Sequence, residues 1–262
     1  MFMNRMAHIA ASAAVIAFSG YANAAVYDMT VNGGDAIFIA GRADVLPIPA
    51  LNGNPTAFVL RRHSYITPDG IVETLPSSIS VNGGDIVRAV NPAIGGVDFF
   101  NSPPSATFFG PGGNGVSGSN LSSLGGISGY IGPQGPLVGV FLDNTIPSAG
   151  PAPATLDFSP SGLGIDFLAL SPLLGQVFYI GDGITSSNVL QEFTAPAGAT
   201  RLFLGIPDGF GFVGVPGAYD DNNGSYRIRI GVNEVPTIPE PATVLLLSSA
   251  IIGLAVSRRR KD

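Results

Sequence analysis

The 262-residue chain contains no cysteine. It therefore has no disulfide framework and no thiolate to serve as nucleophile or zinc ligand. A domain of this size can build its own core without covalent staples. Lysine is missing from residues 25–235, where seven Arg stand against sixteen Asp or Glu, a body charge of about −9. Such a body repels phosphate backbones, which argues against nucleic acid as a partner. Histidine is nearly missing too: the body holds His63 alone. It follows Arg61-Arg62 beside a Pro68-Asp69-Gly70 turn, a setting that suits a solvated surface residue better than a catalytic one. No G-x-S-x-G elbow is present, and one histidine is too few for a zinc site. Paired carboxylates of the glycosidase kind stay open as a third reading, because acids are numerous, yet none stands in a recognisable setting.

Charged residues make up only 11% of the chain, but 45% is hydrophobic, with 16 Phe, which is far too apolar for disorder. The 36 Gly and 22 Pro punctuate short apolar runs, the pattern of an all-β protein. Val-Asn-Gly-Gly-Asp at 31–35 reads as a turn leading into a strand at 36–39. The same five residues recur at 81–85 before a strand from Ile86. Two copies fifty residues apart suggest a repeated turn device rather than a solenoid. Further strands are expected at 137–142, 177–180, 189–193, 201–206 and 225–230. In the last, Tyr226, Ile228 and Ile230 alternate with Arg227 and Arg229, one buried face and one wet. Residues 103–135 are rich in Gly and Ser and read as long loops. The G-x-G-x-x-G match at 113–118 lacks a βαβ context and reads as accidental. A Pro-rich stretch at 147–153 is a natural loop, and one sandwich spanning 25–235 is preferred to two units, with 25–77 as an N-terminal strand extension.

Both ends differ from the body. Residues 1–24 read as a signal peptide: Arg5 precedes an apolar run at 7–20, and Ala22 and Ala24 are the small residues at the cleavage site. The alternative, an N-terminal membrane helix, suffers from the shortness of that run. At the other end, residues 236–262 hold Pro239-Glu240-Pro241, an uncharged stretch at 242–256, and the basic cluster Arg258, Arg259, Arg260 and Lys261. The cluster belongs on the cytoplasmic side, leaving the body outside. Fifteen helical residues reach only about 22 Å, short of a ~30 Å hydrocarbon core. A short C-terminal apolar helix that is seated and then processed fits better than a permanent anchor, although an ordinary membrane helix is the competing reading.

That order of motif, apolar span and basic end resembles the PEP-CTERM sorting signal recognised by exosortases of Gram-negative bacteria that make exopolysaccharide. The resemblance implies cleavage near Pro239-Glu240-Pro241 by an exosortase-type partner. It also implies a membrane-tethered intermediate and delivery to the cell surface or extracellular matrix.

The stretch 191–232 is similar to the C-terminal half of the calcium-dependent, galactose-specific bacterial lectins. The likeness lies in a strand beginning after Ala195-Pro196, the acidic end of the next strand, and Pro216-Gly217 through Tyr219, Asn222 and Gly224-Ser225-Tyr226 into a last strand. Residues 135–142 look like that family's central strand. Residues 84–87 look like the strand leading to a loop that supplies a further carbonyl ligand. The resemblance implies a galactose-binding-like jelly-roll β-sandwich with long Gly/Pro-rich loops. It also implies a calcium ion held by side chains of Asp208, Asp221 and Asn222 and the carbonyl of Ala218. Two departures are visible. The loop between Asp208 and Pro216 is longer than the family's, and the region 91–134, where the family carries sugar-contacting His and Gln, has no His. The competing reading of the Asp/Asn-Gly loop is a solvated turn between strands. The expected function is a non-enzymatic surface or matrix protein that binds carbohydrate or another matrix component with calcium. The alternative is a purely structural building block.

Overall fold

The computed structural model describes residues 24–42, 47–48, 58–59, 74–100, 107–147, 151–219 and 222–234. Residues 1–23 of the signal segment, His63, Asp221, the sorting motif and the basic cluster lie outside these residues.

The fold is an all-β sandwich. Its strands are β1 (Ala25–Asn32), β2 (Pro47–Ile48), β3 (Phe58–Val59), β4 (Ser78–Ser80), β5 (Ile86–Asp98), β6 (Asn114–Leu121), β7 (Tyr130–Gln134), β8 (Val138–Leu142), β9 (Ala169–Leu170), β10 (Val177–Tyr179), β11 (Glu192–Thr194), β12 (Arg201–Gly205), β13 (Val213–Gly214) and β14 (Asn223–Val232). A five-stranded sheet runs β1-β14-β5-β11-β9, and a four-stranded sheet runs β10-β8-β12-β4. Smaller sheets join β13-β6-β7 and β2-β3.

Residue pattern explains the layers. Val138, Val140, Leu142, Leu202 and Leu204 are buried in the four-stranded sheet, and Val87, Ala89, Tyr226, Ile228 and Ile230 are buried in the five-stranded one. All belong to one apolar cluster. Alternation along β14 is as the sequence predicts, with Arg227 and Arg229 exposed between buried neighbours. β8 is buried at every position, which suits its central place between β10 and β12.

Two expectations are corrected. Residues 36–39 do not form a strand: the strand is β1, before the turn, and Ile37–Ile39 is a single 3-10 turn. Ile37, Phe38 and Ile39 are fully buried, so a tight turn packs all three inward, where a strand would send alternate ones to the other face. The Gly/Ser-rich stretch 103–135 is not all loop, since β6 and β7 pair antiparallel within it. The 113–118 match lies across the start of β6, with no helix after it.

The repeated pentapeptide folds the same way twice. The carboxylate of Asp35 accepts the Asn32 amide at 2.8 Å, and that of Asp85 accepts the Asn82 amide at 2.7 Å. In return, the Asp35 and Asp85 amides donate to the Asn32 and Asn82 carbonyls. The two turns sit at opposite ends of β14. Next to the first, Gly33 donates to the Gly224 carbonyl at 3.0 Å. At the second, Asn233 donates from its side chain to Asp85 at 2.8 Å and accepts the Ile86 amide at 2.9 Å.

Candidate functional site

The chain leaves β12 through Ile206 and reaches Asp208, then loops out through a 3-10 turn at Phe210–Phe212 and β13 before returning to β14. Glycine allows the loop its shape: Gly211 and Gly214 take positive φ of 61° and 84°. The return is fixed from inside by Tyr219, which is fully buried. Its hydroxyl donates to the Ile206 carbonyl at 2.8 Å and accepts the Asp208 amide at 3.1 Å. Gly217 donates to the Asp208 carbonyl at 3.0 Å, and Gly209 donates to the Asp208 carboxylate at 2.7 Å.

Three of the four expected calcium ligands can be placed. Asp208 and Ala218 are buried and line one pocket. Ala218 has a left-handed φ of 61°, a conformation uncommon for a residue with a Cβ. Asn222 is fully buried, its amide on the Tyr219 carbonyl at 3.2 Å and its side-chain nitrogen on the Gly33 carbonyl at 2.9 Å. Its Oδ1 is buried without a hydrogen-bond partner. A buried carbonyl oxygen with no donor is costly to keep and is the type of oxygen a hard cation takes. The loop thus offers oxygens of the type calcium takes, with Asp208 and Ala218 sharing a pocket that Asn222 does not line. Among the described residues no three His, Cys, Asp or Glu gather, so such a site relies on carbonyl and amide oxygens as well as carboxylates.

The pocket beside this loop has a volume of about 240 Å³ and is lined by Phe99, Phe100, Gln134, Asp208, Ala218 and the 209–212 turn. Its aromatic wall comes from two distant segments. Phe99 packs on Phe109 with centroids 5.0 Å apart and nearly parallel rings, and meets Phe212 edge-on at 5.3 Å. Phe100 meets Phe109 and Phe212 edge-on, each at 5.7 Å. Phe99 and Phe212 are buried, while Phe100 is 43% and Phe210 54% exposed at the rim. Gln134 accepts from Asn114 through its Oε1 at 2.8 Å. In the sequence, Phe99, Phe100, Phe108, Phe109 and Tyr130 offer a sugar-stacking surface as one reading, against the usual one that aromatics of a sandwich are core. The structure buries Tyr130 completely against Phe158, and it brings Phe210 and Phe212 to the pocket from the loop after Asp208. Nothing local in the sequence links 99–100 to 210–212, since long-range packing makes that wall.

A protein-family profile described as PEP-CTERM protein-sorting motif matches residues 237–261. The tail is a PEP-CTERM sorting motif. It marks the chain as an exported protein, anchored in the membrane before an exosortase processes it. Neither the curated proteins nor the solved structures compared give a match, so the likeness of residues 191–232 to the lectins finds no support there.

Proposed function

We propose that this PEP-CTERM protein is a non-enzymatic component of the surface or extracellular matrix of a Gram-negative bacterium, and that its sandwich binds carbohydrate. The observation that carries the reading is the aromatic pocket. A pyranose ring offers an apolar C–H face and a rim of hydroxyls. Exposed Phe rings beside an amide and a carboxylate suit both parts, and the volume is of single-ring scale. Calcium would be held by Asp208, the Ala218 carbonyl and Asn222, with Asp221 next in the chain, and would supply positive charge that fixes the loop and offers coordination to sugar hydroxyls.

A glycan array of neutral and acidic polysaccharide fragments, probed with calcium and with chelator, tests the reading. Binding that needs Phe100 and Phe210 supports it, and a blank array under both conditions overturns it. The purely structural alternative draws on the same loop, because Tyr219, Gly217 and Gly209 already hold it together without a ligand.

A further inference from the structure

The first strand of the body pairs with the last. In β1 and β14, Ala25 lies opposite Val232 and Asn32 opposite Ser225. The residue that follows the signal-cleavage site and the residue that leads into the sorting tail therefore leave the sandwich side by side. The exit is also pinned. Asn233 is bonded to Asp85 and Ile86, and Arg88 donates to the Glu234 carbonyl while pairing with Glu192 at 2.7 Å. The turn that carries Ala197 packs against Gly83 at this same end.

The aromatic pocket lies at the other end. Asn223, where β14 begins, pairs with Asp98, where β5 ends, and Phe99 and Phe100 follow directly. The ten residues of β14 separate the two ends by about 33 Å at ~3.3 Å per residue. Between Glu234 and the apolar stretch stand only seven residues, 235–241, which reach at most about 25 Å when fully extended. The tether is thus shorter than the strand it continues.

We propose that the end of the sandwich bearing Ala25, Ala197 and Val232 is the surface this protein turns toward the membrane, and that the aromatic pocket faces away from it. The inference rests on the tail being seated in the bilayer and is independent of what the pocket binds. A tethered precursor then displays its pocket outward before any processing, and the processing enzyme works against the clamped end of the body. The acidic body opposes lying flat on anionic headgroups, which favours the upright arrangement.

Because the chain has no cysteine, single labels are free of background. Ala197→Cys marks the clamped end and Val213→Cys, 63% exposed, marks the pocket end. Each full chain carries one fluorophore and is inserted by its tail into phosphatidylethanolamine–phosphatidylglycerol vesicles bearing a headgroup nitroxide. Quenching is expected to be severalfold stronger at position 197 than at 213. Ten Gly/Ser residues inserted between Glu234 and Pro239 should bring the two values together. Equal quenching in the unaltered tether overturns the proposal, as does a difference that the insertion leaves intact. Failure of the chain to float with the vesicles overturns both the proposal and the reading of the tail as membrane-seated. A blank glycan array leaves it standing.

Discussion

The Tyr219 hydroxyl accepts the backbone amide of Asp208 at 3.1 Å, closing an eleven-residue excursion with one side chain. The same oxygen donates to Ile206, so both ends of the loop meet on one buried atom. Tyr219→Phe removes that atom and takes from the buried Asp208 amide the oxygen it donates to, while the Ile206 carbonyl keeps the Ile37 amide at 3.2 Å. The expected loss is about 1–3 kcal/mol, read as a fall in Tm of roughly 3–9 °C. Calcium-dependent heat should fall with it, because Asp208 and Ala218 lose their common support. An unchanged Tm contradicts this account of the loop.

The metal reading has its own test. Titration calorimetry of the protein with calcium should give heat, and Asp208→Asn should abolish it. Asparagine at 208 still presents an oxygen to the Gly209 amide, so the loop's internal bonding is retained. Heat from the Asn variant equal to that of the parent removes Asp208 from the ligand set.

The pocket wall separates packing from binding. Phe99 is 3% exposed and Phe210 is 54% exposed. Phe99→Ala should cost about 3–5 kcal/mol as a cavity in the core. Phe210→Ala should leave stability within roughly 0.5 kcal/mol, as usual for a surface change, while weakening any glycan binding. Gly135→Ala is a third probe. Its φ of +58° is left-handed, and an added Cβ would stand 2.4 Å from the Phe99 ring, so the wall must shift. Chemical denaturation and near-UV circular dichroism distinguish the three.

Asp35 predicts a pH dependence. Burial pushes its carboxyl above its ordinary value of 3.8, although hydrogen bonds from Thr74 and Asn32 work in the opposite direction. The folded state therefore holds this proton more tightly than the unfolded chain does. Its contribution to stability is complete below pH 3.8 and is lost as pH rises through the folded value. Relative to Asp35→Asn, the parent should weaken as pH climbs from 3.8 through the raised folded value, measured by urea midpoints. A constant difference across that window rejects the assignment.

How much of this was legible in the sequence depends on the range of the interactions involved. β14 announces itself, because Tyr226, Ile228 and Ile230 alternate with arginines in a sheet that is wet on one side. β8 and β12 are legible as short apolar runs between turns. β1 carries a similar alternation through Tyr27, Met29 and Val31, yet the Gly-Gly turn after it draws the eye to the apolar 36–39, which packs as a 3-10 turn. β6 is hidden by its own composition: its sequence Asn-Gly-Val-Ser-Gly-Ser-Asn-Leu has little β propensity, and pairing with β7 and β13 makes it a strand. The site divides along the same line. Asp208, Ala218 and Asn222 lie within fifteen residues, and only the resemblance to the lectins, not any spacing rule, marks them as a candidate set. The pocket wall joins residues more than a hundred positions apart, and no local pattern encodes that meeting.

The pairing of β1 with β14 also sets a timetable. On an exported chain the N-terminal strand emerges first, and its partner is the last strand of the body to cross. Nearly two hundred residues lie between Asn32 and Asn223, and closing so long a loop comes late and slowly in folding. Until then the hydrogen-bonding edges of both strands are unmet, a state open to pairing with neighbouring chains. The sorting tail follows β14 in the chain, so it reaches the membrane only once both strands are across. The β1 edge thus waits through the passage of almost the whole body before its partner arrives.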